Sequence, residues 1–278
     1  MSMKNSDKPV ILFKYGGNAM VDEALKTEVL RHICALKERN YDVVIVHGGG
    51  PFIKQALKEA KIESEFIDGH RKTTPEAFEY VEMALKGKVN GSLVSLISGL
   101  GYKAVGLSGK DGRMVIASKR AHLTIIDGEP TEVDLGQVGD VDYVDTTLLN
   151  VLLKNDYIPV ITCLGADKSG HGFNINGDMF AGHIAGTLGV DQYVVLTDVD
   201  GLLREKDDPS SLIAEISLSE IEALREENII QGGMIPKIES CQIAISLGAD
   251  LARIVNGTLP GQIYAAIDNN ASGTTITK

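Results

Sequence analysis

The sequence predicts an α/β chain built on a parallel sheet that is covered on both faces. Three observations predict it. Short β-branched runs alternate with longer helical patterns. The strand-like runs are apolar throughout rather than alternating, as strands buried on both faces are. Many of the 30 glycines close apolar runs, where βα turns belong. With 278 residues and 44% hydrophobic content, the chain can fill one large α/β core or two modest ones.

The first strand is expected over 10–13, and Lys14-Tyr15-Gly16-Gly17 closes it. Two glycines let the backbone approach an anion and turn its N–H groups inward, and Lys14 adds a point charge beside them. A helix over about 22–39 leads to a strand over 43–47, then to His47-Gly48-Gly49-Gly50-Pro51. Proline suits the first turn of the next helix, 51–61, and the glycines let that helix start surround an anion. A lone His47 reads as a packed, hydrogen-bonded histidine rather than a catalyst. Asp68-Gly69-His70-Arg71 comes before a long helix over 75–100. Arg71 has the bidentate geometry for a carboxylate, although a solvated arginine has the same sequence signature.

A strand over 104–107 runs into Gly106-Leu107-Ser108-Gly109-Lys110-Asp111-Gly112. Residues 112–143 break the rhythm. Short apolar runs and Asp127-Gly128 predict an antiparallel hairpin region inserted near the sheet edge. A helix over 145–155 and a strand over 158–163 restore the alternation. Asn174-Ile175-Asn176-Gly177-Asp178 then opens a small-residue helix over 178–188. Asp178 occupies an N-cap or first-turn position, so capping alone could explain it; the functional alternative is that it holds nearby lysines. Thr197-Asp198-Val199-Asp200-Gly201 ends a strand over 193–197, and Asp207 to Ser211 reads as an exposed loop. Gly232-Gly233-Met234-Ile235-Pro236-Lys237 opens a helix over 236–247, before a last strand over 252–255. A lysine in a first helical turn opposes the macrodipole by about 0.3–1 kcal/mol, which hints at an anionic partner. Ligands of such a sheet belong at the carboxyl ends of its strands, where Lys14, His47 and Asp198 fall.

A formal net charge of −11 argues against nucleic acid as a partner. Cys34, Cys163 and Cys241 are odd in number and far apart, so reduced, buried thiols in a cytoplasmic protein are expected. Met1 to Pro9 is short and polar, and no apolar run approaches membrane-spanning length, so no leader and no membrane contact are expected. The P-loop, the dinucleotide GxGxxG, HExxH, CxxC and GxSxG patterns are all missing, and no metal-ligating set is expected.

Taken in order, six motifs resemble those of the amino acid kinase superfamily, in its acetylglutamate branch. They are Lys14-Tyr15-Gly16-Gly17-Asn18-Ala19-Met20, His47 to Pro51, Gly106 to Gly112, Asn174 to Asp178, Leu196 to Gly201 and Gly233 to Lys237. The resemblance implies a three-layer αβα sandwich with a mostly parallel central sheet. It implies one domain, with an acyl-amino-acid lobe over about 1–177 and a nucleotide lobe over about 178–278. It implies ATP and Mg²⁺ as cofactors and N-acetyl-L-glutamate as the phosphoryl acceptor, in arginine biosynthesis. By the same likeness, Lys14, Lys237 and Asp178 are catalytic, and Gly49, Gly50, Arg71 and Asn174 bind the acyl amino acid. Gly16, Gly17, Asp198, Gly201, Leu203, Ile229 and Gln231 bind the nucleotide.

The chain departs from the family pattern in places. Gly-Leu-Arg-Val-Thr is replaced by Gly69-His70-Arg71-Lys72-Thr73, which leaves the acyl group open, with acetyl favoured and succinyl or another acyl as the alternative. Asn256 to Gly261 lacks the His and Arg of arginine-regulated members, and about 13 residues precede Lys14. The expectation is a homodimer that arginine does not inhibit. Other kinases of the superfamily, and a non-catalytic binder on the same fold, are the alternatives.

Overall fold

A computed structural model describes residues 8–126, 128–205, 208–268 and 272–278. Asp127 of the expected hairpin turn, Asp207 of the expected loop and residues 1–7 of the polar start lie outside the described residues. The strands, in chain order, are β1 (Val10–Tyr15), β2 (Asp42–His47), β3 (Phe66–Ile67), β4 (His70–Arg71), β5 (Ala104–Ser108), β6 (Val115–Lys119), β7 (His122–Ile126) and β8 (Glu129–Val133). They continue with β9 (Val138–Val144), β10 (Ile158–Thr162), β11 (Leu164–Ala166), β12 (Gly172–Ile175), β13 (Gln192–Thr197), β14 (Glu215–Ser217), β15 (Leu251–Asn256) and β16 (Thr274–Thr277). The α-helices are α1 (Glu23–Ala35), α2 (Gly50–Glu59), α3 (Pro75–Glu82), α4 (Asn90–Gly99), α5 (Thr147–Lys154), α6 (Gly177–Leu188), α7 (Ile221–Glu226), α8 (Met234–Leu247) and α9 (Gly261–Ile267).

Eight strands form the main sheet, in the order β14-β16-β15-β13-β1-β2-β10-β5. The six expected strands are the six parallel ones, β15 through β5. Every residue of β1, β2 and β10 is buried, which explains their unbroken apolar runs. β16 runs antiparallel to β15 and covers that edge. Successive side chains of each strand enter two separate cores. Leu12, Val44 and Tyr193 pack with α2, α3, α5, α6 and α8 on one face. Ile11, Phe13 and Val194 pack with α1, α4 and α9 on the other. The result is the three-layer αβα sandwich.

Local signals set the helix starts. Asp22 caps α1, its carboxylate accepting from Leu25 N at 2.8 Å. Thr74 caps α3 by accepting from Ala77 N at 3.1 Å, with Pro75 in the first turn. A π-helical segment, Met83–Val89, joins α3 to α4, so the expected single helix over 75–100 is continuous but locally widened. From that segment Lys86 Nζ reaches Gly106 O and Asp111 Oδ2, both at 2.9 Å, and ties the Gly106 to Gly112 turn to the helix.

Residues 115–144 are antiparallel, as expected: β6 pairs with β9, and β7 with β8. One feature was not anticipated. β11 and β12 close β6 and β9 into a four-stranded ring. The strand β12 leaves that ring directly into Asn176 and α6, and so delivers Asp178 to the main sheet.

Candidate active site

β1 lies mid-sheet between β13 and β2, and its penultimate residue is Lys14. The Lys14 ammonium sits 2.8 Å from Asp178 Oδ1, and both side chains are only 11% exposed. Asn176 rather than Asp178 caps α6; its Oδ1 accepts from Asp178 N at 2.9 Å and Met179 N at 3.3 Å. That frees the Asp178 carboxylate for Lys14, so capping does not account for Asp178. Burial acts to raise the Asp178 pKa. The charges of Lys14 and Lys237 and the Lys14 hydrogen bond outweigh it, and the carboxyl stays below its ordinary range.

Glycines crowd around this pair. A Cβ on Gly16 would lie 3.3 Å from Lys14 Nζ, and one on Gly177 would lie 3.8 Å from Gly48 Cα and 3.9 Å from Lys14 Cε. Three backbone segments therefore meet at the lysine. Gly17 has φ 74° and starts a short 3₁₀ turn, a conformation that glycine adopts without strain. A Cβ on Gly49 would meet Leu85 Cδ2 at 2.7 Å, so this glycine admits the π segment over the turn. Gly50, by contrast, is exposed and opens α2.

His47 is buried and fully bonded, as expected. Its Nδ1 lies 2.8 Å from Gly48 O, and Asn90 Nδ2 lies 2.9 Å from its Nε2. A carbonyl on one side and an amide donor on the other assign the neutral Nδ1–H tautomer. Burial pushes its pKa down to about 4. Asn90 donates its other hydrogen to Val160 O at 2.9 Å. Asn90 was not legible in the sequence, because its partners come from two distant strands.

Lys237 opens α8 and faces a cleft of about 440 Å³. Asp198, Gly201, Leu203, Ile229 and Gln231 line the same cleft. All five residues expected on the nucleotide side from that half of the chain are thus brought together. Gly16 and Gly17 stand instead beside Lys14. Arg204 lines the cleft too and pairs with Glu227 at 3.2 Å; nothing local in the sequence marked it.

Arg71 lies on the two-residue strand β4, paired with β3 around Asp68 and Gly69. Those two have φ of 46° and 80°, both in the left-handed region that a type I′ turn requires. The Arg71 guanidinium stacks 4.4 Å above the Phe66 ring and donates to Ser64 Oγ. Asn174 Nδ2 donates to Thr73 Oγ1 at 3.3 Å, and Thr73 Oγ1 donates to Arg71 O at 2.9 Å. Thr73, which the sequence shows only as the end of the Gly69 to Thr73 departure, is the link between these two expected acceptor-site residues.

A family model described as the Amino acid kinase family matches residues 9–256. The chain belongs to the amino acid kinase family. It is 41% identical over 269 residues to the acetylglutamate kinase of Methanococcus aeolicus, covering 96% of this chain and 92% of the relative. It is 43% identical over 257 residues to the acetylglutamate kinase of Methanococcus maripaludis strain C7, covering 92% and 87%. A crystal structure of a Streptococcus mutans protein superposes with a TM-score of 0.76 at 27% identity, covering 99% of each chain. As a member of this family, the chain carries the Lys14–Asp178 pair where the central strand ends, on the sheet's ligand side.

Proposed function

We propose that this amino acid kinase transfers the γ-phosphoryl group of ATP to the side-chain carboxylate of N-acetyl-L-glutamate. The products are N-acetyl-L-glutamyl 5-phosphate and ADP, a step of arginine biosynthesis. The observation that carries the reading is the buried Lys14–Asp178 ion pair at the end of the central strand. The likeness to acetylglutamate kinases supports the choice of acceptor.

The chemistry suits these residues. The nucleophile is a carboxylate with a pKa of about 4.3, already ionised at neutral pH, so the protein supplies no general base. What remains is alignment and stabilisation of charge on the transferring group. Lys14 meets that charge from the acceptor side and Lys237 from the nucleotide side. Asp178 holds the two lysines in position. Gly16 and Gly17 present backbone N–H groups to the phosphates. Asp198, Gly201, Leu203, Ile229 and Gln231 hold the nucleoside. Gly49 and Gly50 bind the acyl amino acid through the backbone, with Arg71 on its α-carboxylate and Asn174 on its amide. We place the boundary between the acceptor and nucleotide lobes at Gly177–Asp178.

Among the described residues no cluster of three or more His, Cys, Asp or Glu can hold a metal. The one carboxylate of the centre is engaged with Lys14. Mg²⁺ therefore fits as part of the nucleotide substrate, ligated by phosphates and water, as is usual for this ion. The three cysteines are buried and unpaired, which fits a reducing cytoplasm.

The test is Mg·ATP-dependent formation of hydroxylamine-trappable acyl phosphate. N-acetyl-L-glutamate is compared with N-succinyl-L-glutamate, glutamate, aspartate and N-acetyl-aspartate. Turnover confined to N-acetyl-L-glutamate is expected. Turnover only with another acceptor moves the specificity, and silence with all of them removes the reading.

A further inference from the structure

We propose that Tyr193 and Ser240 form a hydroxyl bridge beneath the reacting centre that holds Asp178 and Lys237 in register, which makes both of them positioning residues. The inference rests on the functional reading above and names residues that it leaves without a role.

Asp178 and Lys237 stand in the first turns of two different helices, α6 and α8. Phosphoryl transfer needs their relative placement held to a fraction of an ångström. Two features supply that. The helices touch backbone to backbone: a Cβ on Gly182 would lie 2.5 Å from Ser240 O, and one on Gly186 would lie 2.6 Å from Ala244 O. Gly182 with Gly186, and Ser240 with Ala244, are i,i+4 pairs, so each helix presents one stripe to the other. That seam fixes the separation of the axes but leaves sliding along it resisted only by van der Waals contact.

The hydroxyls resist the slide. Tyr193 rises from β13 between the two helices and is fully buried. Its single hydroxyl proton is shared between two acceptors, Ser240 Oγ at 3.1 Å and, more weakly, Asp178 O at 3.5 Å. Ser240 Oγ in turn donates to Lys237 O at 2.7 Å. The chain of contacts thus runs from the backbone of Asp178 to the backbone of Lys237, through two side chains anchored on the central sheet and on α8. Burial raises the Tyr193 pKa well above its ordinary value, so the phenol remains a donor. Directional bonds of this kind penalise a displaced helix in a way that apolar contacts do not.

The experiment compares Tyr193→Phe, Ser240→Ala and the double variant with the parent enzyme in the acyl phosphate assay. Each single variant is expected to lose about tenfold in kcat, while KM for nucleotide and acceptor stays within about twofold. The double variant should lose no more than the single ones, because the two hydroxyls act as one bridge. A kcat within about twofold of the parent, or a loss that appears in KM instead, overturns the proposal. Hydrogen exchange at the first-turn amides of α6 and α8 gives a second readout that needs no turnover. If the parent protein forms no acyl phosphate, the functional reading falls. Exchange then decides for the bridge: faster exchange in Tyr193→Phe upholds it and unchanged exchange removes it.

Discussion

At the scale of single residues, two buried groups make opposite demands on their surroundings. Lys14 is charged and answered by Asp178, whereas His47 is kept neutral by burial. Lys14→Met leaves the Asp178 carboxylate buried beside only the more distant Lys237. On the proposed mechanism it also removes a donor to the charge that develops on the transferring group, so kcat should fall by roughly 10²–10³. Asp178→Asn should lower kcat as well, because Lys14 loses its counter-ion and Lys237 loses the field of a nearby negative charge. Steady-state kinetics on both variants checks this. His47 predicts a pH effect on stability. Its folded pKa of about 4 lies below the ordinary 6.5, so the unfolded chain binds more protons between those values. Its contribution is complete above pH 6.5 and is lost as pH falls toward 4, with an upper limit of roughly 3 kcal/mol. Urea titrations across that window should show the decline, and His47→Gln should flatten it. Lys14 and Asp178 were legible in the sequence because motif and strand end coincide there. Tyr193, Ser240 and Asn90 were not, because each gains its meaning from a partner dozens of residues away.

At the scale of elements, glycine separates helices that must touch from helices that need not. Gly182→Ala should destabilise the protein by about 1–3 kcal/mol, since the new methyl meets the Ser240 carbonyl. Gly91→Ala should have the opposite sign. Gly91 is exposed on α4 with open space where a Cβ would stand, so the change should stabilise by about 0.4–1 kcal/mol. Thermal unfolding of the two variants side by side tests both signs. The sequence shows glycine in both helices and cannot distinguish the two, because the difference lies wholly in what packs opposite. The β3–β4 hairpin makes the same point. Asp68-Gly69 was read only as part of the segment before the helix, and neither the turn nor its anchor was foreseen: His122 Nε2 lies 2.9 Å from Asp68 Oδ2, from a strand more than fifty residues on.

At the scale of the whole molecule, the six parallel strands could be read from the chain because burial leaves unbroken apolar runs, most fully in β1, β2 and β10. The strands that escaped are short or polar. β16 is Thr274-Thr275-Ile276-Thr277, and β12 begins at Gly172; both are set by their partners rather than by their own pattern. The same scale carries the assembly prediction. Asn256 to Gly261, from the last residue of β15 onward, contains no His or Arg. On the family resemblance we propose a homodimer that arginine does not inhibit: light scattering is expected to show a dimer, and arginine at physiological concentration to leave the rate unchanged; a hexamer or inhibition would contradict it.

The ion pair at the end of β1 has a consequence for the resting protein. A lone buried ammonium would attract whatever small anion the surroundings offer, and chloride or bicarbonate would occupy the centre between turnovers. With Asp178 at 2.8 Å, Lys14 already has its counter-ion. A singly charged visitor must displace a tethered carboxylate and gains little by doing so. On the proposed reading, a polyphosphate, which carries several charges and would also meet Lys237, is far better placed to compete. On the reading proposed above, the carboxylate is thus a doorkeeper as well as a support, and it keeps the centre clear for multivalent anions.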